Sequence, residues 1–227
     1  MKHNNSQPLT VNSQPKLKVC GMTQLSQIQQ LIEFNVDFIG FIFYEKSPRF
    51  VLNHLSLQQI ANINHPGKVG VFVNEDIAEI VKISEQAQLN FVQLHGDETI
   101  DFISELREKL NQKIEIIKVI RVGQQTSDEL EITINRQPST INYLLFDTDS
   151  KAFGGTGKTF DWMILNEVEI PIPYFLSGGI SLENIHQLST INSNPFALDI
   201  NSKFEIEPGN KDVEKIKKIK NELSKPR

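Results

Sequence analysis

Beyond residue 15 the chain alternates between two textures. Short apolar runs at 17–20, 38–43, 68–73, 91–94, 114–120, 143–146, 174–176 and 197–200 read as strands. They lack strict apolar/polar alternation, which suits parallel strands buried on both faces. Between the runs the apolar positions take a helical period. Leu25, Ile28, Leu31 and Ile32 share one face, as do Ile77, Ile80, Val81 and Ala87. Ile100, Ile103, Leu106 and Leu110 form a third such face, and Val213, Ile216, Ile219 and Leu223 the last. Thr23 and Asp97 are placed as N-caps of the helices that begin near residues 25 and 100. The weakest helices follow the second and fifth strands: the stretch 54–63 is short, and 126–136 carries little apolar surface.

Eight strands, each followed by helical or loop material, imply parallel pairing through right-handed crossovers. An open doubly wound sheet and a closed barrel both satisfy this. Chemically loaded residues follow nearly every strand, and only a barrel brings all the strand C-termini to one place. The pattern therefore predicts a single-domain (βα)8 TIM barrel over residues 16–227. The 227 residues suffice, since such barrels take about 250 and no fewer than about 200.

Composition narrows the setting. The net charge is −5 with no basic stretch before the last dozen residues, which argues against a nucleic-acid partner. One cysteine excludes an internal disulfide and fits a reducing, cytoplasmic compartment. No apolar stretch approaches the roughly 20 residues that span a bilayer, and the N-terminus has no signal-like apolar core. Residues 1–15 are polar, rich in Asn, Gln and Ser, and read as a disordered tail.

Several residues at predicted strand ends carry chemistry. Cys20 closes the first strand. A free cysteine is more often a small buried hydrophobe than a reactive group. Its place at the C-terminal edge, with Gly21 leaving room beside the thiol for a ligand, shifts that balance. A thiolate there needs nearby positive charge or backbone N–H groups. Asp147 ends the sixth strand directly after an apolar run, a setting that raises a carboxyl pKa and suits a general acid; the plainer alternative is a turn cap. Arg49, in the loop after the second strand, can grip a carboxylate with two parallel bonds or remain a solvated loop charge. The run Gly154-Gly155-Thr156-Gly157-Lys158-Thr159 invites a P-loop reading, but Ala152 stands where the motif needs glycine, so a glycine-rich lid is the better description. Ser177-Gly178-Gly179 and Asp199-Ile200-Asn201-Ser202 follow the seventh and eighth strands, where barrels often hold phosphate on backbone N–H groups. His95 ends the fourth strand in a supporting position. His54, His65 and His186 show no metal-ligand spacing, so no metal is expected.

Taken together, Lys18-Val19-Cys20-Gly21-Met22-Thr23, Ser47-Pro48-Arg49-Phe50-Val51, Gly70-Val71-Phe72-Val73-Asn74, Gln93-Leu94-His95-Gly96-Asp97-Glu98, the glycine-rich run continued through Phe160-Asp161-Trp162, Ser177-Gly178-Gly179-Ile180 and Asp199-Ile200-Asn201-Ser202 resemble the phosphoribosylanthranilate isomerases of tryptophan biosynthesis. The resemblance runs from Leu17 to about Leu223. It implies an Amadori rearrangement of N-(5-phosphoribosyl)anthranilate to 1-(2-carboxyphenylamino)-1-deoxyribulose 5-phosphate. By position it implies Asp147 as general acid, Cys20 as general base and Arg49 on the anthranilate carboxylate. It further implies Gly178, Gly179, Asn201 and Ser202 at the phosphate, and Asp199 near the ribose hydroxyls. No cofactor is implied, because no redox step occurs; the expected partner is a small sugar phosphate, with no nucleic acid and no membrane, and the chain a monomer or homodimer. One departure is Lys203, where the family usually has glycine in a Ser-Gly-Val-Glu run; the alternative to a glycine turn there is an approach of Lys203 to the phosphate. Rival readings are another sugar-phosphate barrel, such as an epimerase or a histidine-pathway isomerase, and a catalytically dead barrel that binds a phosphorylated ligand or a partner.

Overall fold

The computed structural model describes residues 14–149 and 159–224. Eight parallel strands close into a barrel in chain order: β1 (Lys16–Val19), β2 (Phe38–Ile42), β3 (Lys68–Phe72), β4 (Phe91–Leu94), β5 (Glu115–Val122), β6 (Tyr143–Thr148), β7 (Tyr174–Leu176) and β8 (Ala197–Ile200). The predicted architecture is therefore the observed one, and each strand lies within two residues of its expected ends. The seam between β1 and β8 is held in register from Lys16↔Ala197 to Val19↔Ile200.

Alternate residues of each strand serve two different cores. Leu17, Val19, Ile39, Phe41, Leu144 and Leu198 point outward and pack beneath the surrounding helices. Val69, Val71, Ile117, Leu145 and Phe175 point inward and fill the barrel. With both faces covered, apolar residues occupy both parities, so the strands read as continuous runs.

The helices are α1 (Leu25–Glu33), α2 (Leu57–Ala61), α3 (Ile77–Gln86), α4 (Ile100–Lys109), α5 (Ser127–Asn135) and α6 (Val213–Leu223). The two weak ones survive through their ends. In α2 Ser56 and Gln59 form a capping box, and in α5 Thr126 and Glu129 do the same, so that α5 needs only Leu130 and Ile134 as buried anchors. Among the described residues the connections after β6 and β7 carry 3-10 turns, Trp162–Asn166 and Ile185–Thr190, and no α-helix. A small antiparallel hairpin, β9 (Glu205–Glu207) with β10 (Asn210–Lys211), precedes α6 and has no counterpart in the expected elements.

Both expected N-caps are corrected. Helix α1 begins after Gln24 without a side-chain cap, and the Thr23 hydroxyl instead donates to the Gly209 carbonyl at 2.6 Å, tying the β1 loop to the hairpin. Helix α4 is capped by Thr99, whose hydroxyl accepts from Phe102 N–H, while Asp97 pairs with Arg121. In each case a long-range partner outcompetes the local one.

The expected tail over residues 1–15 lies outside the described residues except for Gln14 and Pro15, and so does the glycine-rich run up to Lys158. Among the described residues no helix is long and apolar enough to cross a membrane.

Candidate active site

Strand alternation sends Lys16, Lys18 and Cys20 of the first strand into the barrel, and the same parity does so for Gln93 and His95, for Asp147, and for Asp199 and Asn201. All the last residues of these series lie at the C-terminal rim, where the connecting loops gather. Cys20 follows β1 directly and donates its N–H to the Ile200 carbonyl at 2.9 Å. Its thiol is buried and lies against Gly40, where a Cβ would come within 3.0 Å of Sγ.

The room beside the thiol comes from Gly40, because the space over Gly21 is already filled. A Cβ on Gly21 would meet Arg49 Cδ at 2.7 Å and Asn201 Oδ1 at 3.0 Å, and the backbone there is left-handed at φ +74°. The sequence expectation of ligand space over Gly21 is thus corrected: glycine lets the Arg49 stem cross the base of the site.

Below Cys20, the register partners Lys18 and Asp199 form an ion pair of 2.8 Å deep in the barrel. Burial weakens the Lys18 ammonium, but the Asp199 carboxylate and Cys20 outweigh it and hold its pKa above the ordinary value. Asp199 Oδ1 is buried and has no hydrogen-bond partner among the described residues. The Cys20 thiol is itself pushed up by burial, although the Lys18 and Lys211 ammonium groups pull it down. The positive charge that a thiolate needs is present in these two cations, and desolvation exceeds it.

Asp147 lies near the end of β6. Its Oδ1 accepts from the Thr148 N–H at 2.9 Å, and its Oδ2 lies 3.3 Å from His95 Nε2. The Gln93 amide lies 3.0 Å from His95 Nδ1 and holds the ring with its Nε2 facing Asp147. His95 thus lies between Gln93 and Asp147 at the rim. Opposite, Gly178 sits so close that a Cβ would lie 2.4 Å from Thr148 Oγ1 and 3.3 Å from Asp147 Oδ1, and Gly178 and Gly179 are both left-handed, at φ +82° and +71°. Asp199 is electrostatically coupled both to Asp147 and to Cys20, so the three belong to one cluster on β6, β8 and the end of β1.

Arg49 is buried, not a solvated loop charge. Its Nε lies 2.9 Å from both carboxylate oxygens of Glu205, and Nη2 lies 2.6 Å from Oε2. Lys211, also buried, donates from Nζ to Glu205 Oε1 at 2.6 Å and to Asn201 Oδ1 at 2.7 Å. Burial alone would raise the Glu205 carboxyl; the bonds and charges of Arg49 and Lys211 hold it below its ordinary value. Ser202 opens a 3-10 turn with Lys203 and Phe204, and the Lys203 side chain is exposed.

In the sequence Lys18 stands in a motif with no role of its own, and neither Glu205 nor Lys211 is singled out. Lys18 carried a usable signal, a charge at an inward position between Leu17 and Val19. Glu205 and Lys211 carried none, since their partners come from distant elements. Among the described residues no group of three or more His, Cys, Asp or Glu side chains is arranged to hold a metal ion.

Comparison with known proteins matches this geometry. Residues 17–222 match the family of N-(5'-phosphoribosyl)anthranilate (PRA) isomerase. A protein of that name from Parabacteroides distasonis is 37% identical over 213 residues, covering 92% of this chain and 94% of its own length. A solved phosphoribosyl anthranilate isomerase from Thermotoga maritima, where the enzyme is dimeric, is 34% identical with a TM-score of 0.71, over 89% of this chain and 95% of the other. A further solved isomerase, in complex with reduced 1-(o-carboxyphenylamino)-1-deoxyribulose 5-phosphate, is 30% identical with a TM-score of 0.71, over 92% and 98% of the two chains.

Proposed function

The chain belongs to the N-(5'-phosphoribosyl)anthranilate isomerase family, and we propose that its Cys20 and Asp147 carry out the proton transfers of that reaction. It converts N-(5-phosphoribosyl)anthranilate into 1-(2-carboxyphenylamino)-1-deoxyribulose 5-phosphate, an Amadori rearrangement of L-tryptophan biosynthesis. The observation that carries the assignment of roles is the shared neighbour: Asp199 lies within electrostatic reach of both Cys20 and Asp147 at the same rim.

Asp147 protonates the ribose ring oxygen, and the ring opens to an iminium. The cationic nitrogen acidifies the C2 proton, which Cys20 removes. The enolamine so formed takes up a proton at C1, the carbon that bears nitrogen, while the C2 hydroxyl gives up its proton, and the product is the 2-ketone. Hydrogen is only redistributed within one molecule, so the stoichiometry calls for no redox cofactor. Each positioned acid or base contributes about 10²–10⁴-fold. Burial pushes the thiol pKa up, and the Lys18 and Lys211 ammonium groups act in the opposite sense, toward the thiolate that removes the proton.

Arg49 receives the anthranilate carboxylate. The backbone N–H groups around Gly178 and Gly179, with Asn201 and Ser202, receive the phosphate. Asp199 Oδ1, buried and without a partner among the described residues, accepts from a ribose hydroxyl. Lys203, exposed beside this end of the site, supplies a compensating charge toward the phosphate. The enzyme works in the cytoplasm on a small sugar phosphate, as a monomer or homodimer, and sedimentation velocity distinguishes the two states.

The test is a fluorescence assay with freshly generated phosphoribosylanthranilate. The anthranilate signal should fall on adding enzyme without added metal. Full turnover after Cys20→Ser or Asp147→Asn removes that residue from the mechanism. Stabilisation by the product analogue with no turnover in the unaltered chain supports the ligand-binding alternative instead.

A further inference from the structure

The Arg49 guanidinium is not loose in its loop. Glu205 occupies its Nε and Nη2 with three contacts of 2.6–2.9 Å, and neither side chain is solvated. Nη1 has no bond within the described residues, so the free edge of the fork is the one beyond Glu205. A guanidinium can engage two carboxylates side by side, one on each edge, because its five N–H groups lie in one plane. The first carboxylate then fixes where the second must bind.

Glu205 is itself immobilised. Lys211 Nζ bonds Oε1 at 2.6 Å, and the Gly209 N–H donates to the same oxygen at 3.1 Å. The hairpin that carries Glu205 and Lys211 is anchored to the β1 loop by Thr23 and to α1 by Gln27, whose amide reaches Asn210 Oδ1 and the Lys211 carbonyl at 2.9 and 3.0 Å. The Arg49 stem meanwhile lies in the gap above Gly21, next to Cys20. Two cations, Arg49 and Lys211, stand against one buried carboxylate, Glu205. That leaves the cluster one positive charge in excess, facing the site, which an anionic substrate group neutralises.

We propose that Glu205 is the positioning residue of the carboxylate anchor: by clamping the Nε–Nη2 edge of Arg49 it aims the Nη1 edge at the aryl carboxylate of the substrate. This rests on the assignment of Arg49 to that carboxylate. A preset fork loses less conformational entropy on binding than a free one, so the clamp acts on affinity and not on the proton transfers.

The experiment uses the full chain with Glu205→Gln, Arg49→Ala, the double variant, and Glu205→Asp, which keeps the charge but withdraws it by one methylene. Turnover of phosphoribosylanthranilate gives KM and kcat. Inhibition by ribose 5-phosphate, which lacks the carboxylate, reports the phosphate end alone. The Nε–H resonance of Arg49 in ¹⁵N spectra reports the clamp without any substrate. In Glu205→Gln we expect KM to rise on the order of tenfold, the loss of about one charge-assisted bond, with kcat within about twofold. Glu205→Asp should lie between it and the unaltered chain. The double variant should be no worse than Arg49→Ala, and ribose 5-phosphate affinity should not move. A fall in kcat at constant KM overturns the proposal, as do additive losses in the double variant or an equal loss of ribose 5-phosphate affinity. If Arg49→Ala leaves KM unchanged while the Nε–H signal still depends on Glu205, the clamp exists but the carboxylate binds elsewhere, and both readings fall at that identifiable step.

Discussion

The two mouths of this barrel are built by the same eight strands and the same inward parity, yet they solve opposite problems. At the N-terminal mouth Phe38, Phe91, Tyr143, Phe175 and Phe196 meet edge-on or tilted, with centroids 5.0–6.1 Å apart, and the Lys16 ammonium lies 4.6 Å from the Phe196 ring centre. That end gains from burying apolar area and needs few polar partners. At the C-terminal mouth the inward positions are Cys20, His95, Asp147 and Asn201, over the Lys18–Asp199 pair. That end buries charge, which is tolerated only where opposite charges and hydrogen bonds meet it. Packing at one end holds the strands that present chemistry at the other.

The comparison breaks most sharply at the proposed acid–base pair. Cys20→Ser and Asp147→Asn should each cut kcat/KM by about 10²–10⁴-fold while Tm shifts by no more than a few degrees. A collapse of Tm in step with activity would make them packing residues. The converse substitution, Phe175→Ala, should remove about 3–5 kcal/mol of stability, measured by urea unfolding, and leave kcat/KM of the folded enzyme unchanged. Lost activity at full stability would show that the aromatic end takes part in the chemistry.

A smaller effect sharpens the picture of the thiol. kcat/KM reports the free enzyme, in which burial holds Cys20 above the ordinary value of 9.0. The rising limb of kcat/KM should therefore still be climbing at pH 9.0, where an ordinary cysteine would be half ionised. A plateau reached near neutrality would mean that the two lysines outweigh burial. The smallest effect belongs to the other mouth. His65 donates from Nε2 to the Val36 carbonyl and accepts the Gly67 N–H on Nδ1 at 3.0 Å, so it is held neutral. Burial lowers its pKa below 6.5, and the unfolded chain then binds a proton that the folded one refuses. The stability linked to His65 is complete above pH 6.5 and is lost as pH falls below it. Thermal melts at pH 5 and pH 7 should differ more in the unaltered chain than in His65→Gln.

Much of this architecture was legible because parallel strands with both faces covered leave continuous apolar runs, as in 68–72, where every residue is buried. The connections after β6 and β7 were not, since 3-10 turns such as Trp162–Asn166 have no lasting period to detect. Catalytic candidates stood out by their position at strand ends. What holds them did not: Glu205 is 156 residues from Arg49, and Thr23 is 186 from Gly209, separations at which no local pattern records the pairing. The reading of Gly21 failed for the same reason, because the atoms above it come from Arg49 and Asn201.

The seam of β1 with β8 has a consequence for the chain as it is made. Lys18 leaves the ribosome 181 residues before Asp199, the only carboxylate it contacts within the described structure. Until that late segment emerges, the nascent chain holds a lysine that cannot be desolvated and a first strand with no eighth strand beside it. The barrel therefore cannot close before β8 emerges, and the Cys20 thiol proposed as the base stays uncovered until then. A stalled or truncated product would present that thiol and the unpaired edge to the cell's folding and degradation machinery.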